Sequence, residues 1–356
     1  MKDCSVQSEI DKETNKKLKK GNLLFLTKLF LLLLIVIFTY SYYLKINNGS
    51  QNETIKIDLP KNEQIEIVPL DKKAVLAFVG DIMLDRSVYN KIRDHGGGDF
   101  NYIFKNIKDD LLKYDFLVGN LEGPISDKGA DRYDLYSFRM KPEALDALRN
   151  VGFDGLSVAN NHINNWGTEA MEDTFLRLKE SGIKVLGGGF NDIDASYPKI
   201  VEINGTKIAF LAFSQFDKGK YEATASSSGI VIISEGALKG GIKIAKENAD
   251  LVVVIFHFGD EYAEESNSYQ KKYSHLAIDL GANLVVGHHP HVVEEVEIYS
   301  NSYIAYSLGN FVFDQYFSKE TMEGGLLEVT VQNKKIIDVK LQKIQMNKNY
   351  QPEIVR

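Results

Sequence analysis

The chain of 356 residues has a single cysteine, Cys4, and a single tryptophan, Trp166. One cysteine excludes an internal disulfide, and its place at the extreme N-terminus removes any thiol chemistry from the body of the protein. There is no Gly-x-Ser-x-Gly, so nothing points to a serine nucleophile on a strand-to-helix elbow. The triple glycine Gly187-Gly188-Gly189 is not followed by a phosphate-loop pattern, which leaves nucleotide binding unsupported. Basic residues are not in excess: 42 Lys+Arg stand against 49 Asp+Glu, a net charge of −7. A nucleic-acid partner is therefore not expected, because counterion release needs clustered basic surface. No internal repeat is visible. With 44% hydrophobic residues but only one long apolar run, neither a disordered chain nor a multi-pass transporter fits.

That one run, Leu23–Leu44, has 22 residues with Lys28 as its only charge. At about 1.5 Å per residue it spans roughly 30 Å, enough for one membrane helix. A cleaved signal peptide is the alternative, but the run exceeds a typical signal core and no small-residue cleavage site follows it. Lys16, Lys17, Lys19 and Lys20 precede it, so the positive-inside rule places residues 1–22 in the cytoplasm and everything after Lys45 outside the cell. The expected layout is a cytoplasmic basic tail (1–22), a signal-anchor helix (23–44), an extracellular stalk (45–73), one domain (74–345) and a C-terminal tail (346–356). Localisation follows: a single-pass protein of the cell membrane with its domain outside. The charge divides accordingly. Residues 1–45 hold eight Lys and four acids, while the remainder carries 34 bases and 45 acids, a net of −11.

From Ala74 onward, short β-branched runs alternate with amphipathic stretches, the pattern of an α/β domain. The runs AVLAFVG, DFLVGN, DGLSVANN, KIAFLAF, DLVVVIFHFG, ANLVVGHHPH and YIAYSLGN are expected to be strands. Helices are expected at Pro142–Asn150, Thr168–Ser181, Ser234–Asn248 and Ser268–Leu280. Hairpins are expected at Asn204-Gly205 and near Asn333, which makes the sheets mixed. The polar residues gather where these strands end: Gly80-Asp81, Gly119-Asn120-Leu121-Glu122, Asn160-Asn161-His162, His257, His289-Pro290-His291 and Gly309-Asn310. In an open α/β sheet that edge is the ligand crevice.

Five of the seven histidines (His162, His257, His288, His289, His291) fall in these strand-end motifs. Imidazoles with carboxylates and an amide oxygen suit a divalent transition metal such as Mn, Fe or Zn, whereas a calcium site would be built from oxygen alone.

The ordered motifs GDIML, GNLEGPI, ANNHINNWG, HFGDEY, GHHPHVV and SLGNFVFD resemble those of the CapA/PgsA-type poly-γ-glutamate capsule biosynthesis proteins, distant relatives of the calcineurin-like metallophosphoesterases. The resemblance runs from about Ala74 to Ile344. It implies a metallophosphoesterase-like four-layer α/β/β/α sandwich with mixed sheets behind the membrane helix. It also implies an anionic surface polymer as partner, poly-γ-glutamate or similar, and membrane-bound polymer synthase subunits. Carried over motif by motif, one or two divalent metals would be held by Asp81, Glu122, Asn161, His257, His289 and His291, with His162 as catalytic acid or transition-state stabiliser. Asn120, Asn310 and Asp314 would form the substrate wall or support the ligands, and His288 is not carried over. The sequence departs from the pattern at one point: metallophosphoesterases usually begin with Asp-x-His, and here Met83 follows Asp81-Ile82. A thioether is a poor ligand for hard metals, so the first metal loses an imidazole unless Asp85 replaces it.

Structural roles compete at each position. Asp81 could cap the following helix, Glu122 could pair with Arg86, Arg132 or Arg139, Asn160-Asn161 could be turn chemistry, and His257 could be a hydrogen-bonded core residue. Asp81 and Glu122 could also be the carboxylate pair of a glycosidase, but that leaves the histidines unexplained. Two functions remain open, metal-assisted hydrolysis and a non-enzymatic polymer-binding or assembly subunit.

Overall fold

The computed structural model describes residues 73–356 apart from Asp134, so the cytoplasmic tail, the membrane helix and all but the last residue of the stalk lie outside the described residues. Among the described residues, no helix is long and apolar enough to cross a membrane. In chain order the strands are β1 (Ala74–Ile82), β2 (Phe116–Leu121), β3 (Phe153–Ser157), β4 (Lys184–Leu186), β5 (Gly188–Gly189), β6 (Lys199–Ile203), β7 (Thr206–Ser214), β8 (Gly229–Ile230), β9 (Leu251–His257), β10 (Leu284–His288), β11 (Val296–Tyr299), β12 (Ser302–Ala305), β13 (Asn310–Val312), β14 (Glu323–Gln332), β15 (Lys335–Met346) and β16 (Pro352–Ile354). Five longer helices join them: α1 (Arg86–Gly96), α2 (Ala144–Asn150), α3 (Gly167–Glu180), α4 (Glu235–Asn248) and α5 (Ser268–Leu280).

Two mixed sheets form. The first runs β16-β15-β14-β1-β2-β3-β4, with β13 added in parallel at the end of β1; the second runs β11-β12-β10-β9-β7-β6. All seven expected strand runs are strands, and the four expected helices lie within two residues of their expected starts. Side-chain alternation divides the faces of the second sheet. Phe210 points toward the first sheet, its ring 5.1 Å from Phe116 and 6.4 Å from Phe78, while Leu211 and Phe213 point away, toward Leu238 and Ile242 of α4. On the outer side of the first sheet, Phe104 packs on Phe153 and Phe311. Helices therefore cover the outside and the two sheets share an aromatic core between them.

Local chemistry accounts for the joints. Ser234 caps α4 by accepting from the Ala237 N–H, and Asn267 with Gln270 closes a capping box on α5. The β6–β7 hairpin turns at Asn204 and Gly205, both at positive φ, and the β14–β15 hairpin at Asn333 and Lys334, also both positive, as tight antiparallel turns require.

One expectation needs correction. The chain after Met346 is no tail: β16 pairs antiparallel with β15, and Tyr350 is buried in the core. The signal was too short to read, three residues bounded by Pro352. Helix α1 is not among the four expected helices; only Val88 and Ile92 of its 11 residues are buried and the apolar period is sparse.

Candidate metal centre

β1, β2, β9 and β10 all deliver their C-terminal ends to one place between the two sheets. Gly80 makes this possible for β1, since a Cβ there would run into the carbonyl oxygen of Gly309. Asp81 follows, fully buried, in register with Asn120 on β2 and Asn310 on β13. Helix α1 starts at Arg86, so Asp81 is not its cap.

Asn120 organises the carboxylates. Its Nδ2 donates to Asp81 Oδ1 at 2.8 Å and to Glu122 Oε2 at 2.9 Å, and its Oδ1 accepts from Asn160 Nδ2 at 3.0 Å. The remaining Asp81 oxygen faces His291 Nδ1 at 3.2 Å. Glu122 Oε1 is buried and has no hydrogen-bond partner among the described residues. The nearest imidazole nitrogens, His291 Nε2 and His162 Nε2, stand 3.7 and 3.8 Å from it. Arg86, Arg132 and Arg139 are engaged elsewhere: Arg86 with Asp314, Arg132 with Tyr221, and Arg139 stacked 3.5 Å over Trp166. Among the described residues, none of these arginines pairs with Glu122.

Two buried acids this close cannot ionise equally. Burial would raise the Asp81 carboxyl, but the imidazoles of His288 and His291 outweigh it and hold Asp81 well below its ordinary 3.8. Burial and then the Asp81 charge push Glu122 well above its ordinary 4.5.

On the other side, Asn161 Oδ1 lies 2.8 Å from His257 Nε2, and His289 Nδ1 lies 3.2 Å from that same nitrogen. Burial, reinforced by neighbouring imidazoles, lowers the basicity of both rings, to about 3 for His289. Both are thus held neutral, the form that ligates a metal. His289 sits at φ +102° and His291 at +61° on either side of Pro290, uncommon geometry for residues with a Cβ. Such strain costs on the order of 1–3 kcal/mol per residue and gathers at functional sites. Here the His291 ring faces Asp81 and Glu122, while the His289 ring lies against His257.

One oxygen each from Asp81 and Glu122 and one nitrogen from His257 lie within 4.8 Å of one another, all buried. An orphaned carboxylate oxygen and crowded neutral imidazoles fit a divalent transition metal: acceptors converge with too few protons among them. Met83 does not join them. Its sulfur accepts from the Asp85 N–H at 3.2 Å, and Asp85 Oδ2 accepts from the Arg139 N–H at 2.9 Å, so Asp85 has a structural partner of its own.

His162 stands beside the cluster. The Phe138 N–H donates to Asn165 Oδ1, which identifies that atom as an acceptor, so His162 Nδ1, 2.9 Å away, must donate to it. Nε2 then accepts from Asn161 Nδ2 at 3.2 Å and lies 3.8 Å from Glu122 Oε1. Asn310 accepts from His291 Nδ1 at 3.0 Å and supports that ring. Asp314 stands apart from the cluster, bound to Arg86 and the Ser87 N–H, on the wall of a cavity of about 290 Å³ that His162 and His291 also line.

Sequence reasoning missed Asn160 and Asn165 as supports and Phe216 as the ring against His289. The asparagine-rich ANNHINN run was a readable sign of the first two; nothing marked Phe216.

A family model described as bacterial capsule synthesis protein PGA_cap matches residues 75–315. The capsule biosynthesis protein CapA of Bacillus anthracis is 32% identical over 72% of this chain and 64% of its own length. The PGA biosynthesis protein CapA of Bacillus subtilis is 34% identical over 71% of this chain and 66% of its own. The chain thus spans just under two thirds of either relative. Among solved structures, a phosphatase from Mycoplasma pneumoniae superposes with a TM-score of 0.48 at 15% identity, over 78% of this chain and 95% of that one, a likeness too slight to bear on function. The match across the whole stretch from β1 to Gln315, together with these identities, makes the chain a member of the bacterial capsule synthesis protein family.

Proposed function

We propose that this protein is a capsule biosynthesis or export protein of the poly-γ-glutamate type, anchored by Leu23–Leu44 to the outer face of the cell membrane, whose domain is a metal-dependent hydrolase. The observation that carries the hydrolase reading is the buried Asp81, Glu122 and His257 group, in which Glu122 Oε1 has no hydrogen-bond partner among the described residues. Asp81, Glu122, Asn161, His257, His289 and His291 would hold one or two ions of Mn, Fe or Zn. Bound there, a divalent metal supplies a Lewis acid and lowers the pKa of water. The protein's own part is positional. Asn120 fixes both carboxylates and Asn310 aims His291. His162 lines the adjoining cavity; the proton of its neutral ring is on Nδ1, so it would hand a proton from Nε2 to a leaving oxygen as the imidazolium. An anionic polymer would reach the site along the wall formed by Arg86, Tyr136 and Asp314.

The second reading is an assembly subunit that binds polymer beside membrane-bound synthase subunits without turnover. Met83 favours it, because its sulfur is committed to the Asp85 N–H where an imidazole would have strengthened the site. The two readings separate in a hydrolysis screen of phosphodiesters, phosphomonoesters and γ-glutamyl polymer with added Mn²⁺. Turnover that His162→Ala abolishes while metal content stays unchanged supports the hydrolase; no turnover on any substrate, with polymer still bound, supports assembly.

A further inference from the structure

His288 has no part in the ligand set above, yet its imidazole is 1% exposed and its Nδ1 has no hydrogen-bond partner among the described residues. We propose that His288 is itself a metal ligand, on the Asp81 side of the centre; this rests on the metal reading of the site.

Three observations carry it. The first is direction. His288 is the last residue of β10 and pairs in register with His257, the last residue of β9. Registered residues of parallel strands send their side chains to the same face. Since the His257 ring reaches the carboxylates through Asn120 Nδ2, at 3.4 Å from its Nδ1, the His288 ring leaves the sheet toward the same cluster.

The second is spacing. His288 Nδ1 lies 3.4 Å from Asp81 Oδ1, while His291 Nδ1 lies 3.2 Å from Asp81 Oδ2, so each oxygen of one buried carboxylate has an imidazole nitrogen beside it. A good N–H···O bond has its heavy atoms about 2.9–3.0 Å apart, and 3.4 Å is long for one. Two donors bound at about 2.1 Å to one tetrahedral ion are separated by about 3.4 Å. The observed spacing is that of two ligands on one ion.

The third is cost. A buried imidazole nitrogen without a hydrogen-bond partner is penalised by on the order of 1–3 kcal/mol, and Asp81 Oδ1 at 3.4 Å offers this one only a long contact. Coordination satisfies both. It also supplies the Asp81 side with an imidazole at the place where Met83 offers none.

The competing role is positional: His288 could merely hold Asp81. Glutamine separates the two, since its amide can still donate to Asp81 but brings no imidazole nitrogen. Full-length wild type and His288→Gln are stripped, loaded with Mn²⁺, and compared by elemental analysis, by titration of Mn²⁺ affinity and by pulsed EPR, which counts imidazole nitrogens coupled to the ion. The expected result is one coupled nitrogen fewer in the variant, with Mn²⁺ affinity reduced by more than the roughly 10–100-fold that loss of an outer partner costs. An unchanged nitrogen count overturns the proposal and leaves the metal reading standing. Wild type that takes up no Mn²⁺ overturns both. Should His288→Gln not fold, His288→Asn carries the same readout, and similar unfolding temperatures of the stripped proteins verify that each is folded.

Discussion

Within the strand-end cluster each residue type behaves as its surroundings dictate. Asp81 and Glu122 are both carboxylic acids with no exposed surface, yet one is held ionised and the other driven toward its protonated form, because imidazoles outweigh burial at the first, while burial and then the charge of the first act on the second. A third buried acid, Glu294, lies outside the cluster. Burial, opposed by a 2.6 Å hydrogen bond from Gln270 Nε2, pushes it up to about 7. A carboxyl whose folded value exceeds its unfolded one contributes stability below the unfolded value, and that contribution is lost as pH rises through the folded value. Glu294→Gln is therefore expected to leave stability unchanged near pH 4 and to raise it above pH 7 by on the order of 1–3 kcal/mol. Thermal unfolding of both chains across that range checks it, and parallel curves would count against it. The residues named from the sequence, Asp81, Asn120, Glu122, Asn161, His162, His257, His289, His291 and Asn310, converge. That His288 also faces Asp81, at 3.4 Å, was not legible, because it depends on the register of β10 against β9.

At the scale of elements, the strands were the readable part. Buried parallel strands read as continuous apolar runs, as in LVVVIF of β9, and turns at Asn-Gly state their own geometry. The edge elements were less visible: only Val88 and Ile92 of α1 are buried, and β16 pairs over just three residues with the strand before it. Two glycines show the difference between local and tertiary demand. Gly205, in the β6–β7 turn at φ +85°, has open space around it, so Gly205→Ala meets only backbone strain, about 1 kcal/mol. Gly80 has an ordinary backbone but lies against Gly309, so Gly80→Ala must force β1 and β13 apart. We expect the first to lower the unfolding midpoint by a few degrees and the second to cost several kcal/mol, as overpacking does at its upper end. Denaturant unfolding of the two variants tests the order, and equal losses would contradict it.

For the whole molecule, charge and metal are linked. The residues after Lys45 carry a net of −11, and Arg86, Arg132 and Arg139 are engaged with Asp314, Tyr221 and Trp166. A polyanion attracted here would depend on cations in the site. If the centre binds metal, chelation should also loosen the fold: at a metal concentration 100 times the Kd, binding adds about 2.7 kcal/mol. Stripping should lower the unfolding temperature and Mn²⁺ should restore it, whereas an unfolding temperature indifferent to both would weigh against a metal centre. The sequence by itself determined the α/β class, the strands and the chemistry of their ends, because apolar runs, turn residues and polar clusters are local features of the chain. Only the tertiary structure decided which atoms face one another. Asp81 and His291 are 210 positions apart and meet at 3.2 Å because parallel register brings several strand ends to one point between two sheets. The same convergence placed Met83 against a backbone amide and left His288 beside Asp81, since orientation at a strand end is set by the neighbours it meets.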